Sequence, residues 1–200
     1  MMSDGMVSRP VVTRQKRLFY GAAFLLFAGS AGIGLADEGA GGDVAADLMV
    51  EKPDAVICQD DVVWLRGGWG RARFRVEVAD EPAEQQLGLM FREDMPASSG
   101  MLFVYPEPRP ASFWMENTLI PLDMLFFDDT GSLIRVHENA VPLDRTPLPG
   151  GDNVKAVLEV SAGMARALGI LGVENESPGD AVIAHPSFDS TRTVFSCAGE

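Results

Sequence analysis

A regular alternation of apolar and charged side chains over residues 71–78 indicates that this chain folds around a β-sheet. Four apolar side chains at even-numbered positions alternate with three arginines and a glutamate at odd-numbered ones. Successive side chains of a strand point to opposite faces, so the pattern gives one buried and one solvated face. Glycine-rich residues 66–70 separate this segment from the apolar residues 62–65, which predicts a hairpin.

Further short strands are predicted along the chain, with few helices between them. Residues 122–127 are apolar on both faces, which is typical of a central strand covered on both sides. Two short helices are expected, the first capped by Asp80 and the second capped by Ser161. The second helix should end at Gly169, with Ile170 making the terminating apolar contact. The other strands are predicted at residues 101–104, 112–117, 133–137, 154–160 and 181–184.

The fold class predicted from this pattern is mainly β (α+β). About eight strands and two short helices favour a β-sandwich or a partly open barrel with helices at its ends. Irregular loops are expected at residues 105–110, which hold three prolines, and at residues 140–153. The side of the first helix that should face the core carries Ala83, Leu87, Met90 and Phe91.

The first 36 residues have the composition of an export signal. Four basic residues precede an uncharged apolar run at residues 18–33, and small residues lead to a predicted cleavage after Ala36. An uncleaved anchor over residues 18–35 is the alternative. We therefore expect a periplasmic or secreted protein that meets the membrane only through this segment.

Cleavage would leave one domain and a spacer. Residues 37–57 are glycine-rich and acidic, which predicts a flexible spacer before a single domain at residues 58–200. Cleavage removes four of 16 basic and one of 29 acidic residues, so 12 and 28 remain and the net charge changes from −13 to −16. No basic stripe offsets this acidity, so nucleic acid is not an expected partner.

Cys58 and Cys197 are the two cysteines of the chain, and they bracket almost the whole predicted domain. In an exported protein such a pair favours a disulfide that joins the start of the domain to its end. Two free thiols near the chain ends are the alternative.

Asp123 interrupts the apolar central strand, and a buried carboxylate needs a partner. If Gly131 adopts the left-handed conformation in a three-residue turn, Asp123 faces His137 on the next strand. A two-residue turn would instead place Asp123 opposite Glu138. We favour the first register because Thr130 tolerates a positive φ poorly. That register also pairs Phe126 with Ile134 and Met124 with Val136.

A second group of candidate binding residues follows the strand predicted at 112–117. Trp114, Asn117 and Thr118 place an indole beside an amide and a hydroxyl, a combination used to bind sugars or peptides. The same amide and hydroxyl are also common in tight turns, and both interpretations stay open. His185 precedes a proline and is interpreted as a turn histidine.

No known catalytic or metal-binding motif occurs in the sequence. Methionines are soft ligands suited to Cu(I), but most of those in this chain fall on apolar faces where methionine fills gaps in the core. We therefore predict no metal and no cofactor. The methionines considered are Met90, Met95, Met101, Met115, Met124 and Met164.

Residues 74–186 resemble a bacterial and archaeal domain-of-unknown-function family, number 192, whose members are often exported. The resemblance depends on the strings GLMFR at 88–92, GMLF at 100–103, FWMENTLIPLD at 113–123 and HENA at 137–140, with Pro142. One departure is Glu116, where family members commonly carry Lys or Arg. The resemblance implies a mostly β, sandwich-like fold and no established activity.

The leading functional hypothesis is a binding module for a small polar ligand or a partner in the cell envelope. An alternative is a hydrolase of envelope glycan or peptide that uses Asp123 with His137 or Glu138 as acid and base. A structural role in envelope assembly is the third possibility. The predicted binding residues are Trp114, Asn117, Thr118, Asp123, His137 and Glu138, with the 140–153 loop beside them.

Overall fold

The alternating residues 71–78 lie in one strand of a seven-stranded sheet. The structure, a computed structural model, describes residues 55–170 and 180–198. The predicted signal peptide and nearly all of the predicted spacer lie outside the described residues. The strands are β1 (Val62–Gly67), β2 (Gly70–Ala79), β3 (Ser99–Phe113), β4 (Leu122–Phe127), β5 (Leu133–Ala140), β6 (Leu148–Ser161) and β7 (Val182–Ala184), with helices α1 (Pro82–Leu87) and α2 (Met164–Ala167).

The sheet is curled into a half-barrel. Its strand order is β5-β4-β6-β3-β2-β1-β7, and every neighbouring pair is antiparallel except β2 with β3. A bridge between Ser132 and Val182 brings the two edges of the sheet together at one end. The predicted mainly β, partly open barrel is therefore confirmed.

Apolar side chains cover both faces of the sheet. All seven strands contribute to one cluster, which lies inside the curl and is called the inner core here. The second cluster, the outer core, includes Met101, Phe103, Met124 and Phe126 together with residues of the connections that cross the outer face. Strand β4 lies between β5 and β6 and is buried along its whole length, as its doubly apolar pattern predicts.

Two predicted loops are partly strand. Strand β3 continues through the proline-containing residues 105–110, and β6 begins at Leu148 instead of residue 154. Register shifts between Val104 and Ser112 mark bulges in this pairing. A bulge leaves a residue unpaired, so prolines without an N–H are tolerated there. The strand predicted at 112–117 ends at Phe113, and the irregular part of the 140–153 loop is shortened to residues 141–147.

Helix α1 begins and packs differently from the prediction. Its N-cap is Glu81 instead of Asp80, and none of its residues is buried. Phe91, expected on the buried side, is 65% exposed, and Leu87 is exposed as well. The amphipathic pattern overestimated burial because the helix ends at Leu87, before Met90 and Phe91, and lies over a cavity described below instead of over the packed core.

Helix α2 begins at a different residue from the predicted one but ends as predicted. Its N-cap is Gly163 and not Ser161. At its end, Gly169 has a φ of +76° and the Ile170 N–H donates to the Ala165 carbonyl oxygen at 2.8 Å, while the Ile170 side chain is buried. This is the glycine-terminated arrangement expected of the sequence.

Cys58 and Cys197 form a disulfide, as predicted, with their Cα atoms 5.4 Å apart. Val56 supports the same junction, because its N–H donates to the Ser196 carbonyl oxygen at 3.3 Å. The two ends of the described domain are therefore joined both covalently and by the backbone. Neither α1 nor α2, the helices of the described part of the chain, is long and apolar enough to cross a membrane.

Candidate functional site

The β4–β5 hairpin has the predicted turn but a different register. Gly131 has a φ of +76°, and Phe127 pairs with Leu133 as the three-residue turn requires. A bulge then shifts the register by one, so that Met124 pairs with His137 instead of Val136. The predicted pairing of Asp123 with His137 is therefore wrong, because a bulge is not specified by the turn that precedes it.

Asp123 is completely buried and is satisfied by the backbone. Its Oδ1 accepts a hydrogen bond from the Asn139 N–H and its Oδ2 accepts one from the Ala165 N–H, both at 2.8 Å. The carboxylate thus ties a bulged end of β5 to helix α2. The structure gives Asp123 a positioning contact on the inner side of the sheet.

His137 and Glu138 lie next to each other in β5 and have separate partners. The Nε2 atom of His137 lies 2.9 Å from the Pro149 carbonyl oxygen, and its ring packs edge-on against Phe126. Glu138 forms an ion pair with Arg166 of α2 at 2.9 Å. Together with Asp123, these side chains are held by three different sets of partners.

The residues that follow β3 divide between turn and cavity. Asn117 has a φ of +56°, and its carbonyl oxygen accepts the Phe91 N–H at 2.9 Å, which is a turn role. Trp114 and Thr118 line a cavity on the outer face of the sheet. Glu116, the departure from the family pattern, forms an ion pair with Arg145 at 2.6 Å.

This cavity has a volume of about 280 Å³ and is called the Glu159 cavity here. One wall is residues 85–90 of α1 and the turn after it, and another is residues 112–118. Strands β3 and β6 complete it. Its lining consists of Gln85, Gln86, Leu87, Gly88, Leu89, Met90, Phe103, Tyr105, Ser112, Phe113, Trp114, Thr118 and Glu159.

Glu159 is a buried carboxyl group in this lining. Its residue is only 4% exposed, and it lies on the outer face between Met101 of β3 and Met124 of β4. Within residues 55–170 and 180–198 no side chain or backbone group donates a hydrogen bond to it. Burial raises the pKa of Glu159 to about 8 from an ordinary value of 4.5.

Five exposed apolar side chains belong to the cavity lining, follow a lining residue in the chain or are joined to one by a backbone hydrogen bond, and they are called the apolar rim here. Leu87 and Trp114 belong both to the rim and to the lining, while Phe91 and Leu143 are joined by backbone hydrogen bonds to Asn117 and Thr118. The remaining member is Leu119. Exposed apolar side chains grouped in this way are typical of binding surfaces.

Two rim residues also have strained backbones. Phe91 and Leu143 both have a φ of +64°, a conformation that bulky side chains rarely adopt. Such strain costs on the order of 1–3 kcal/mol per residue and is concentrated at functional sites. Phe91 and Leu143 keep this strained backbone conformation although their side chains are exposed. The strain therefore supports a ligand-binding role for this surface.

His185 and the methionines have structural roles. His185 is a turn histidine as predicted, but a buried one, whose Nδ1 accepts the Ser187 N–H at 3.2 Å and whose Nε2–H donates to the Asp60 carbonyl oxygen at 2.9 Å. Met101, Met115 and Met124 pack in the outer core. In the described part of the chain, no three His, Cys, Asp or Glu side chains are grouped closely enough to hold a metal ion.

Glu159 is the site residue that sequence reasoning missed. It interrupts the apolar residues 156–160 in the same way that Asp123 interrupts 122–127. The sequence therefore contains this acidic residue within an apolar segment, but its position does not predict burial. In an alternating strand, a charged residue at an alternate position is expected to face water. Glu159 is buried because other segments of the chain cover the outer face of the sheet.

Comparison with known proteins places these features in a family. The model of the family DUF192, described as Uncharacterized ACR, matches residues 63–175. A solved protein of unknown function from Novosphingobium aromaticivorans is 42% identical, with a TM-score of 0.56, covering 61% of this chain and 82% of that one. A protein from Sinorhizobium meliloti, proposed to be a transcription regulator, is 37% identical with a TM-score of 0.56, covering 64% and 95%. The search of curated proteins gave no match.

Proposed function

Since this chain belongs to the DUF192 family, whose description assigns no activity, we propose a function from its own geometry: it is a binding module that holds a small ligand in the Glu159 cavity. The ligand has an apolar body that contacts Phe103, Phe113 and Trp114, and one polar group that bonds to the carboxyl of Glu159. The lining combines apolar and aromatic side chains with polar ones, which favours such an amphipathic ligand over a fully polar one.

The observation that carries this proposal is the buried, unpartnered carboxyl of Glu159. A carboxyl group that has lost most of its water and receives no donor from the described residues is costly to keep, and a ligand in the adjoining cavity would complete its hydrogen bonds. The cavity beside it has room for a small molecule, at about 280 Å³. The exposed Trp114 and Leu87 at the same cavity give the ligand an entrance with apolar walls.

A hydrolase that uses Asp123, His137 and Glu138 has less support. Acid–base catalysis needs ionisable groups that converge on one accessible position. Asp123 is completely buried with both oxygens bonded to backbone N–H groups, and Glu138 is paired with Arg166. We therefore propose binding, with these three side chains as supports of the hairpin and α2.

We further propose that the module acts in the periplasm or outside the cell. The disulfide between Cys58 and Cys197 supports this location, because such bonds form and persist in oxidising compartments. The apolar run at residues 18–33, which follows basic residues, adds the expectation of export.

A thermal-shift screen with small aromatic and aliphatic fragments tests the binding function. We expect some fragments to raise the melting temperature of the wild type and to lose this effect in Trp114→Ala, because that substitution removes a cavity wall. Val194→Ala, an exposed apolar residue outside the cavity, is the matched control and should respond like the wild type. Fragments that stabilise all three proteins equally would contradict a site at this cavity.

A further inference from the structure

Glu159 supplies the one acidic group among the described residues that line the cavity, and the other polar side chains of this lining are neutral. The side-chain NH₂ of Gln85 donates to the carbonyl oxygens of Ala79 and Val104, at 3.2 and 2.9 Å. The Thr118 hydroxyl donates to a carbonyl oxygen two residues earlier at 3.5 Å. Glu159 adds two carboxyl oxygens that receive no donor from the described residues. A ligand group that pairs with the ionised form of this carboxyl therefore brings hydrogen-bond donors.

Aromatic rings form much of the remaining lining. Phe103, Tyr105, Phe113 and Trp114 all line the cavity, and the first and third pack edge to face with centroids 4.9 Å apart. Aromatic faces carry partial negative charge and attract cations, by about 0.5–2 kcal/mol per contact depending on desolvation. Rings beside a carboxyl group are the combination that recognises a positively charged nitrogen.

The cations of the described residues leave the Glu159 carboxyl without a charged partner, although the Arg109 guanidinium lies over the ring of Tyr105, 5.2 Å from its centroid. No Lys, Arg or His lines the cavity within the described residues. On β2, Glu77 is paired with Arg92, and Lys155 of β6 donates to the carbonyl oxygens of Tyr105 and Pro106. On β5, beyond Met124, His137 is bonded to the Pro149 carbonyl oxygen.

We propose that the group recognised by Glu159 is an organic ammonium, so that the ligand is an amine with an aromatic or aliphatic body. This rests on the proposed function, because it names the ligand class of the same cavity. An ammonium group carries donors and no acceptor, and it matches a cavity whose described lining has an unpaired carboxyl group, aromatic walls and no basic side chain. The net charge of −13 also favours cationic over anionic ligands.

Binding should be linked to a proton. In the free protein near pH 7 the Glu159 carboxyl is protonated, because burial raises its pKa to about 8. Pairing with an ammonium requires the carboxylate, so amine binding releases about one proton and strengthens as the pH rises toward 8. Tyr105 is the other ionisable side chain of the lining, and its pKa is raised mainly by burial, so it stays protonated in this range.

Isothermal titration calorimetry of the purified protein tests the proposal. The probes are 2-phenylethylamine against 2-phenylethanol and hexylamine against hexanol, at pH 7 in two buffers with different ionisation enthalpies. We expect each amine to bind about tenfold or more tightly than its alcohol, with release of about one proton. Glu159→Gln should weaken amine binding about tenfold and leave alcohol binding unchanged, whereas Trp114→Ala should weaken both.

Other outcomes overturn the inference at different levels. Equal affinities for amine and alcohol, or unchanged amine affinity in Glu159→Gln, would each show that an ammonium is not the recognised group. Amine binding without proton release would overturn the proton linkage alone. If alcohols or neutral fragments bind and amines do not, the cavity is a binding site and only the ammonium inference is wrong. If neither amines nor neutral compounds bind, the ammonium inference and the proposed function both fall.

Discussion

Two carboxyl groups are buried in neighbouring strands of this sheet, and their surroundings differ. Asp123 on the inner side accepts two backbone hydrogen bonds, which compensate for the water it has lost. Glu159 on the outer side has a cavity next to it and no donor among the described residues. Asp123 is therefore expected to stabilise the fold. Glu159 is expected to lower the stability of the free protein and to serve as a binding group.

Glu159→Gln should change how stability depends on pH. The folded protein holds a proton on Glu159 up to a pKa of about 8, whereas the unfolded chain releases it near 4.5. The folded state therefore binds more protons in this window, and the free energy of unfolding falls as the pH rises, by up to about 1.4 kcal/mol per pH unit. Glutamine carries no proton to lose, so urea unfolding at pH 5, 6.5 and 8 should show this slope reduced in the variant.

The difference between variant and wild type isolates this group from the others that titrate. Buried His185, whose pKa is lowered by burial, contributes the opposite slope in both proteins. The variant should gain relative stability as the pH rises to 8. Parallel curves for the two proteins would show that Glu159 is ionised in the folded state throughout.

Asp123→Asn should destabilise the fold independently of any ligand. An asparagine accepts with one oxygen only, and its NH₂ opposes the second backbone N–H, so we expect a loss of about 2 kcal/mol in urea unfolding. Asp61→Asn is the matched control, because it removes an ion pair with Arg75 in which both side chains are exposed, and it should cost less than about 1 kcal/mol. Equal losses in both variants would contradict the positioning role of Asp123.

At the scale of elements, the sequence predicts strands well where the pattern is local. The hairpin of β1 and β2, the buried β4 and the glycine end of α2 all follow from side-chain alternation or turn chemistry. The β4–β5 register does not, because two bulges shift it after a correctly predicted turn. The position of a bulge depends on the residues that pack against the strand, and these cannot be read from the sequence of the strand alone.

Helix α1 illustrates the same limit and leads to a prediction. None of its residues is buried, and Gln85 ties it to the sheet through the carbonyl oxygens of Ala79 and Val104. In Gln85→Ala both bonds are lost, so amides of residues 83–90 should exchange with deuterium about tenfold faster. Gln86→Ala, an exposed neighbour, is the control and should exchange like the wild type; equal rates in both variants would contradict this attachment.

At the scale of the whole molecule, the fold class and the disulfide were predictable but the Glu159 cavity was not. Strand count predicts a mainly β barrel, and two cysteines at the ends of a domain predict their bond. The cavity forms where α1 and residues 112–118 meet over the outer face, and these segments are far apart in sequence from Glu159. Trp114 and Thr118, which line this cavity, were predicted as binding residues because an indole, an amide and a hydroxyl are grouped at a strand end.

The disulfide should account for a large part of the stability of the domain. It closes a loop with a sequence separation of 139 residues, for which the chain-entropy model gives about 5 kcal/mol. We expect the Cys58→Ser, Cys197→Ser double variant to unfold at a lower urea concentration by a corresponding amount. A free-thiol assay on the denatured, unreduced wild type should detect no thiols, whereas two per chain would contradict the bond.

The central claim is that the Glu159 cavity is a binding site, and chemical-shift mapping tests it most directly. Amide spectra of the ¹⁵N-labelled protein are recorded with the fragments that stabilise it, and the shifted residues are assigned. We predict that the shifts concentrate at residues 85–90 and 112–118 and around Glu159. Shifts concentrated instead at residues 137–139 and α2, or spread without focus over the surface, would contradict the claim.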